Sequence, residues 1–468
     1  MKTLQQIEPR TDLNALSGDA TTVCTIVRPG SYYLSADLAG AAGKSTIRVA
    51  TVGRVTIDLN GFALTSTGAG QSAILPNNDL VVRNGFILAE ANASTKAIGG
   101  RLARIVCEDL GIFGNGGTVL DLGADGVIAR CHLTDGGIAC QERSAVRETV
   151  ISAKASDVSV TLGDESQAVG LVLQTQLGAL AVGERGLIAD CAINAAGPPP
   201  LIVNGAVLIA GEGSVVRHCS VAAGNTAGSA IVVGTGALVS GCRVTSAFRD
   251  GIAGSGLANV TVESCSVQGN GRDGIVLGAN ARVRDCNVQG SGAQGIEVGE
   301  NSLVSGCVVS GCGGGGIRST FENVSVTRCT LKGNSGGPGI SLVIGTVSEC
   351  DVTGNTGGAG IQVTAHSLVL RNRSERNGVL STDPQAGLRV IGARNRLEGN
   401  HLVSNTGFGL EITSTGSINA NTGNLTIGNH ARSNDAGQFS ISSGNATGPI
   451  LTTAQVATTT SPTANFGP

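Results

Sequence analysis

The sequence predicts an all-β solenoid, a parallel β-helix with coils of about 21–23 residues. Three recurring rows of residues predict it. Seven cysteines, Cys219, Cys242, Cys265, Cys286, Cys307, Cys329 and Cys350, follow one another at steps of 23, 23, 21, 21, 22 and 21 residues. A Gly-Ile or equivalent step returns at Ile231, Ile252, Ile275, Ile296, Ile317, Ile340 and Ile361, then as Leu388 and Leu410. Five residues after the cysteine position stands a third row, Asn270, Ser291, Cys312, Asn334 and Asn355. From there the cysteine position becomes Asn372, Asn400 and Asn429, and the third row continues in step as Asn377, Asn405 and Asn434. A residue type that returns at such a period marks a chain whose turns stack like on like.

Each row has a physical reason. Short parallel strands joined by turns fit a coil of this length, with about 4.8 Å of rise per coil. Val260, Val262, Cys265 and Val267 are small and β-prone, and they point inward. A narrow interior rejects large rings, which accounts for an aromatic content of 2% and the absence of Trp. Asparagine tolerates the left-handed backbone of tight turns, and stacked asparagines can hydrogen-bond from coil to coil. Earlier coils are less regular. Val55–Phe62 and Leu80–Phe86 read as strand-and-turn units, and Cys107, Cys131 and Cys191 sit in contexts like the later cysteine row, with Thr149 and Thr175 as fillers of the same slot. The stack is expected over residues 46–450. Residues 1–45 are expected as an N-terminal cap, with a short helix over Leu4–Ile7, and residues 451–468 as a Thr/Ser-rich strap or loose tail. A solenoid needs its ends covered, because open strand edges pair with other chains; a homo-oligomer or end-to-end stacking of copies follows where they are not.

Composition bounds the function. A net charge of −3 gives no bulk attraction to nucleic acid. No apolar run approaches the roughly 20 residues of a membrane span, and residues 1–20 lack the apolar core of a signal peptide. Thirteen cysteines do not imply disulfides here. In-register side chains one coil apart do not offer the roughly 3.8 Å Cβ separation that a disulfide needs, so buried free thiols are expected. No Cys-x-x-Cys suggests a metal. Gly333-Asn334-Ser335-Gly336-Gly337-Pro338 resembles the nucleophile segment of trypsin-like proteases, but Asn334 replaces the aspartate there, and the turn row already explains it.

The chemistry is expected on the outer faces. The residue after each Gly-Ile step points outward by strand alternation. This makes Glu297 and Arg318 neighbours, and likewise Arg389 and Glu411. Arg249-Asp250-Gly251-Ile252 and Arg272-Asp273-Gly274-Ile275 repeat just before the step, so Asp250 and Asp273 fall one coil apart, near Glu297 and Arg318. Two close carboxylates either share a proton for acid–base work or bind Ca²⁺ through oxygen, and Ca²⁺ is the one cofactor this pattern suggests. Asp250, Asp273, Glu297 and Arg318 are therefore the candidate catalytic set, with Arg249 and Arg272 as substrate-binding residues. The alternative is Arg–Asp pairing that keeps a strand face solvated. A second, basic candidate gathers Arg371, Arg373, Arg376, Arg389, Arg394 and Arg396 beside a longer connection at residues 378–387, with Glu411 adjoining. Further excursions fall at residues 411–428 and at Gly197-Pro198-Pro199-Pro200. Its alternative is again a solvated charged surface.

The rows and the inward aliphatic residues resemble those of the single-stranded, right-handed parallel β-helix proteins of the pectate-lyase-like superfamily. Lys2–Arg10, Gly30–Leu34 and Thr56–Phe62 look like uncharacterised bacterial members. The resemblance implies a secreted or cell-surface protein and a polysaccharide partner, often acidic. It also implies lyase or hydrolase chemistry if the chain is an enzyme. The Gly-His-Gly and Arg-x-Lys of polygalacturonase-like members and the Asp-Pro-His of mannuronan epimerases are absent. Two classes stand: a β-helix that binds a polysaccharide, with or without cleaving it, and a non-catalytic structural, adhesin-like or self-assembling surface protein.

Overall fold

In the computed structural model, short inward-facing apolar strands wind into parallel coils. The structure describes residues 10–89, 91–100, 104–153, 158–176, 178–195, 206–224, 228–254, 256–378, 385–413, 421–456 and 458–467. The expected helix at Leu4–Ile7, the Gly197–Pro200 excursion, residues 379–384 of the connection at 378–387 and residues 414–420 of the one at 411–428 lie outside them. The chain divides into two compact units, Met1–Ala237 and Leu238–Pro468.

In the second unit every coil lays down three strands, and each strand pairs in parallel with its counterpart one coil on. Sheet A holds Ile252–Gly254, Ile275–Leu277, Gln294–Val298, Gly315–Ser319, Ile340–Leu342, Ile361–Val363, Leu388–Val390 and Phe408–Ile412. Its register aligns Ile275 with Ile296, Ile317 with Ile340, and Leu388 with Leu410. All of these side chains are buried, so the Gly-Ile row is the spine of one sheet. Sheet B runs from Leu238–Ser240 through Thr261–Glu263 to Ala446–Thr447. Sheet C runs from Arg243–Thr245 through Arg373–Glu375, His401–Val403 and His430–Arg432 to Asn465–Phe466.

The corners between sheets carry the other two rows. All thirteen cysteines are free and buried. The thiols of Cys265, Cys286, Cys307, Cys329 and Cys350 point at a carbonyl of the previous coil, as Cys286 Sγ does at Val262 O (3.7 Å) and Cys350 Sγ at Val326 O (3.6 Å). Burial pushes the Cys140 thiol up to about 12, which keeps such a group protonated and inert. Where asparagine takes over, its amide fills the same role with stronger bonds. Asn372 Nδ2 donates to Val347 O at 2.9 Å and to Asn400 Oδ1 at 3.0 Å. The ladder continues through Asn429 to Asn465 at 2.9 and 3.1 Å. A second ladder runs Asn334, Asn355, Asn377, Asn405, Asn434 at 2.8–3.1 Å. Each carbonyl oxygen also accepts the backbone N–H of the asparagine one coil back, as Asn377 Oδ1 does from Asn355 at 3.0 Å. A third ladder, Asn395–Asn424–Asn445, has both steps at 2.8 Å.

One detail differs from the sequence expectation. The left-handed residue is not the asparagine but the one before it: Arg371 has φ 52°, Arg376 52° and Ser404 55°. The bend lies outside, and it turns the next side chain inward, where asparagine is chosen for its amide and not for its backbone tolerance. Asn465 closes the first ladder from within the segment expected as a tail, with Nδ2 donating to Thr426 O at 3.0 Å.

The first unit follows the same plan with longer strands, the longest being Ile105–Leu122. Residues 10–45, expected as a cap, already contribute coil strands. Thr22–Ile26 pairs with Ser45–Val49, and Gly30–Tyr33 with Val55–Asp58. The corner row here is Cys131, Thr149, Leu171, Cys191 and Cys219, each of whose carbonyls but the last accepts from the residue following its successor (for example Val150 N–H to Cys131 O at 2.9 Å, Val172 N–H to Thr149 O at 2.9 Å). Thr149 thus fills the cysteine slot. Thr175 does not, and pairs in register with Ala195. Cys107 belongs to a strand row, between Val82 and Ile128. It is the register that separates the two settings.

Removing one rung from the middle of an asparagine ladder orphans buried donors and acceptors on both sides, at about 1–3 kcal/mol for each unpaired group. Asn377→Ala is therefore expected to lower the urea-derived stability by roughly 2–4 kcal/mol. Cys307→Ala, which removes a small apolar group, is expected to cost about 1 kcal/mol. Equal losses for the two variants in urea titrations would contradict the ladder's role.

Candidate functional site

The first candidate lies at the edge of sheet A, where the chain enters the strands Ile252–Gly254, Ile275–Leu277 and Gln294–Val298. Asp250 and Asp273 are buried one coil apart, as expected. Both carboxylates are aimed at backbone. Asp250 Oδ1 accepts from Asp273 N–H at 3.3 Å, and Asp273 Oδ1 from Gln294 N–H at 2.8 Å. Gln294 continues the motif with its amide, donating to Gly314 O at 2.7 Å. Burial raises the Asp273 pKa above the usual carboxylate value, and the Asp250 charge adds to it, against the Gln294 hydrogen bond and the nearby Arg272 and Arg318 charges. Arg249 and Arg272 are exposed on the connecting turn, where Arg272 N–H donates to Arg249 O at 3.0 Å.

Glu297 and Arg318 are register partners on the outer face of sheet A. Glu297 is half-buried and Arg318 exposed. Among the described residues neither forms an ion pair, and neither do Arg249 and Arg272. The structure thus brings the predicted residues to one edge, with the aspartates tied to backbone and the guanidiniums open to solvent.

The second candidate does not form a single basic surface. Arg389 is on sheet A, Arg373 on sheet C, Arg396 on sheet B and Arg371 at a bend. Each has an acidic partner. Arg371 lies 3.1 Å from Glu349, Arg373 3.3 Å from Asp351, and Arg396 2.7 Å from Glu398. Glu375 pairs with both Arg373 and Arg376. Arg389 Nε is 3.5 Å from Glu411 Oε2, too poorly aimed for a hydrogen bond, while its Nη1 donates to Gln385 at 3.3 Å. Six arginines close in sequence are spread over three faces because a coil is about as long as their span. Among the described residues, no group of three or more His, Cys, Asp and Glu side chains could hold a metal ion, and no helix is long and apolar enough to cross a membrane.

The family model described as "Right handed beta helix region" matches residues 166–302 and 276–431, together more than half of the chain. This chain belongs to that right-handed β-helix family. Among curated proteins none matches this β-helix chain. Among solved structures, a double mutant of the periplasmic alginate epimerase AlgG is 10% identical, with 68% of this chain and 84% of that one covered and a TM-score of 0.34. The A-module of the mannuronan C-5 epimerase AlgE6 of Azotobacter vinelandii is 11% identical, with 79% and 90% covered and a TM-score of 0.28. The Dettilon tailspike protein is 14% identical, with 83% and 62% covered and a TM-score of 0.22. Nothing about activity follows from similarity at that level.

One feature of this β-helix had no sequence signal beyond the spacing of two histidines. On the outer face of sheet C, His401 and His430 stack with ring centroids 4.8 Å apart and planes 5° from parallel. Burial, followed by the Arg373 and Arg432 charges, holds His401 below the ordinary histidine value against the pull of Glu375. Burial, His401 and Arg432 hold His430 down in the same way.

Two pH dependences follow. The histidine pKa values are depressed in the fold, so the pair contributes stability above the unfolded value of about 6.5 and loses it as pH falls through the folded values. The His401→Gln, His430→Gln double variant is expected to lose less melting temperature between about pH 7 and 5 than the parent; equal losses would contradict this. The Asp273 pKa is raised, so its folded form is favoured below the unfolded value of about 3.9 and penalised as pH rises through the folded value. Asp273→Asn keeps the oxygen that accepts from Gln294. It is expected to melt at or above the parent at neutral pH, with the difference vanishing near pH 3; a lower melting temperature at neutral pH would refute the burial argument.

Proposed function

We propose that the protein binds an acidic polysaccharide along the outer edge of sheet A, through Arg249, Arg272 and Arg318. The observation that supports this reading is that, among the described residues, none of the three forms an ion pair although Asp250, Asp273 and Glu297 lie at the same edge. A guanidinium free of a protein carboxylate can take a sugar carboxylate with two parallel hydrogen bonds. Arginines on successive and alternate coils offer such groups at multiples of about 4.8 Å, a repeat that suits a polymer better than a single small ligand. Glu297 is placed to accept from sugar hydroxyls.

Recognition without cleavage is the reading we favour. Both aspartates already serve backbone N–H groups, and a general acid or base must be free to reach the proton it transfers. An extracellular or surface setting fits a polysaccharide ligand and is part of the same proposal.

Retention on immobilised pectate and alginate tests the reading, with a neutral glucan as control. The parent is expected to be retained in low salt and released by added salt, since exposed charge pairs are screened. The Arg249→Gln, Arg272→Gln, Arg318→Gln variant is expected to bind at least about tenfold more weakly. Equal retention of parent and variant, or none by the parent on any acidic glycan, would overturn the proposal. Ultraviolet-absorbing unsaturated product, with or without Ca²⁺, would overturn the non-catalytic part alone.

A further inference from the structure

A second set of charges in the first unit has the opposite fate from its neighbours. Where opposite charges stack one coil apart at the bends of this unit, they close on each other. Arg130 lies 2.8 Å from Asp109, Arg143 3.0 Å from Asp125, and Arg185 3.1 Å from Glu165. Arg54, Asp79 and Arg104 are also stacked one coil apart, since they immediately precede the paired strands Val55–Asp58, Leu80–Leu88 and Ile105–Leu122. Val55 N–H donates to Asp79 O and Leu80 N–H to Arg104 O, both at 3.0 Å. Yet these three side chains are exposed and, among the described residues, enter no ion pair or side-chain hydrogen bond. They line a cleft whose floor is Leu80, Val81 and Val106. On the same sheet Asp58 is already engaged by Arg10 at 3.5 Å and Arg83 at 3.4 Å.

We propose that this cleft is a binding site for a chain of carboxylated sugars. The charge order along the stack is plus, minus, plus, and the two arginines are two coils, about 9.6 Å, apart in register. Each guanidinium takes one carboxylate through paired hydrogen bonds. Asp79 between them cannot face an anion and instead accepts from hydroxyls. Val81 and Val106 meet the apolar C–H face of a ring. A ligand with a single carboxylate satisfies only one end. A neutral sugar leaves both arginines unanswered. The site does not rest on the reading of the sheet A edge, which uses different residues in the other unit.

Isothermal titration calorimetry on the full chain tests it, with hexagalacturonate, galacturonate monomer and maltohexaose as probes. The variants are Arg54→Gln with Arg104→Gln, and separately Arg249→Gln with Arg272→Gln and Arg318→Gln. All five positions are exposed, and unchanged melting temperatures verify folding. Hexagalacturonate is expected to bind the parent, the monomer about tenfold or more weakly, and maltohexaose not measurably. The Arg54/Arg104 variant is expected to lose one class of sites that the other variant retains. If only the Arg249/Arg272/Arg318 variant loses binding, the cleft is not a site while the sheet A reading stands. If only the Arg54/Arg104 variant loses it, the reverse holds. Binding unaffected by the Arg54/Arg104 change, or no binding of hexagalacturonate by the parent, overturns the proposal. Equal affinity for monomer and hexamer overturns the two-carboxylate geometry.

Discussion

In-register stacking of like on like is the constraint from which the rest of the structure follows. Once a coil superimposes on the one before, every side chain meets its own counterpart about 4.8 Å away. For an inward valine or isoleucine this gives continuous apolar contact. For an asparagine it aligns one amide's donor with the next amide's acceptor, as in Asn334–Asn355–Asn377–Asn405–Asn434. Buried amides are costly unless every group is satisfied. These are satisfied only when the register holds, so the ladders act as a register check that apolar rows cannot provide. The switch from Cys350 to Asn372 shows the two solutions side by side, because Cys350 N–H itself donates to Asn372 Oδ1 at 3.0 Å.

The same constraint makes charged rows decisive outside. Identical charges stacked at the coil repeat would repel, so charged bend positions alternate in sign, as Asp125, Arg143, Glu165 and Arg185 do. Many outer charges in the second unit are answered by a partner one coil or two residues away, as Glu263 is by Arg284 and Glu349 by Arg371. Among the described charges left without an ion pair, two groups also have a carboxylate beside them or a concave apolar floor beneath: Arg249, Arg272 and Arg318 at the edge of sheet A, and Arg54, Asp79 and Arg104 in the first unit. Both assignments rest on this contrast and not on any motif.

Much of the fold was legible because periodicity survives in a single sequence. The cysteine, isoleucine and asparagine rows named the inward positions of the second unit, and strand alternation placed Glu297, Arg318, Arg389 and Glu411 on the outer face. What failed to read had identifiable causes. Residues 10–45 lack the corner residues that betray a coil, so strands such as Thr22–Ile26 were hidden in an expected cap. Cys107 and Thr175 match the corner context locally, but register with distant strands decides a row and sequence neighbours do not. The left-handed bends admit Arg, Asp, Glu and Ser as well as glycine, so their position one residue before the asparagine has no compositional signature. The basic stretch from Arg371 to Arg396 reads as a patch in sequence, but its arginines are distributed over sheets A, B and C and the bends between them. In a coil of about this length, residues a third of a turn apart face different directions. Arg54, Asp79 and Arg104 escaped notice for the converse reason: they are 25 residues apart in sequence and adjacent only through the stack.

The most direct test of the stacking is the position of the corner sulfurs in an experimental crystal structure, located by their anomalous scattering. The account requires Cys265, Cys286, Cys307, Cys329 and Cys350 to lie in one unbroken line with neighbouring sulfurs about 4.8 Å apart. Sulfurs scattered among separate clusters, or a line broken between any two of these residues, would contradict it.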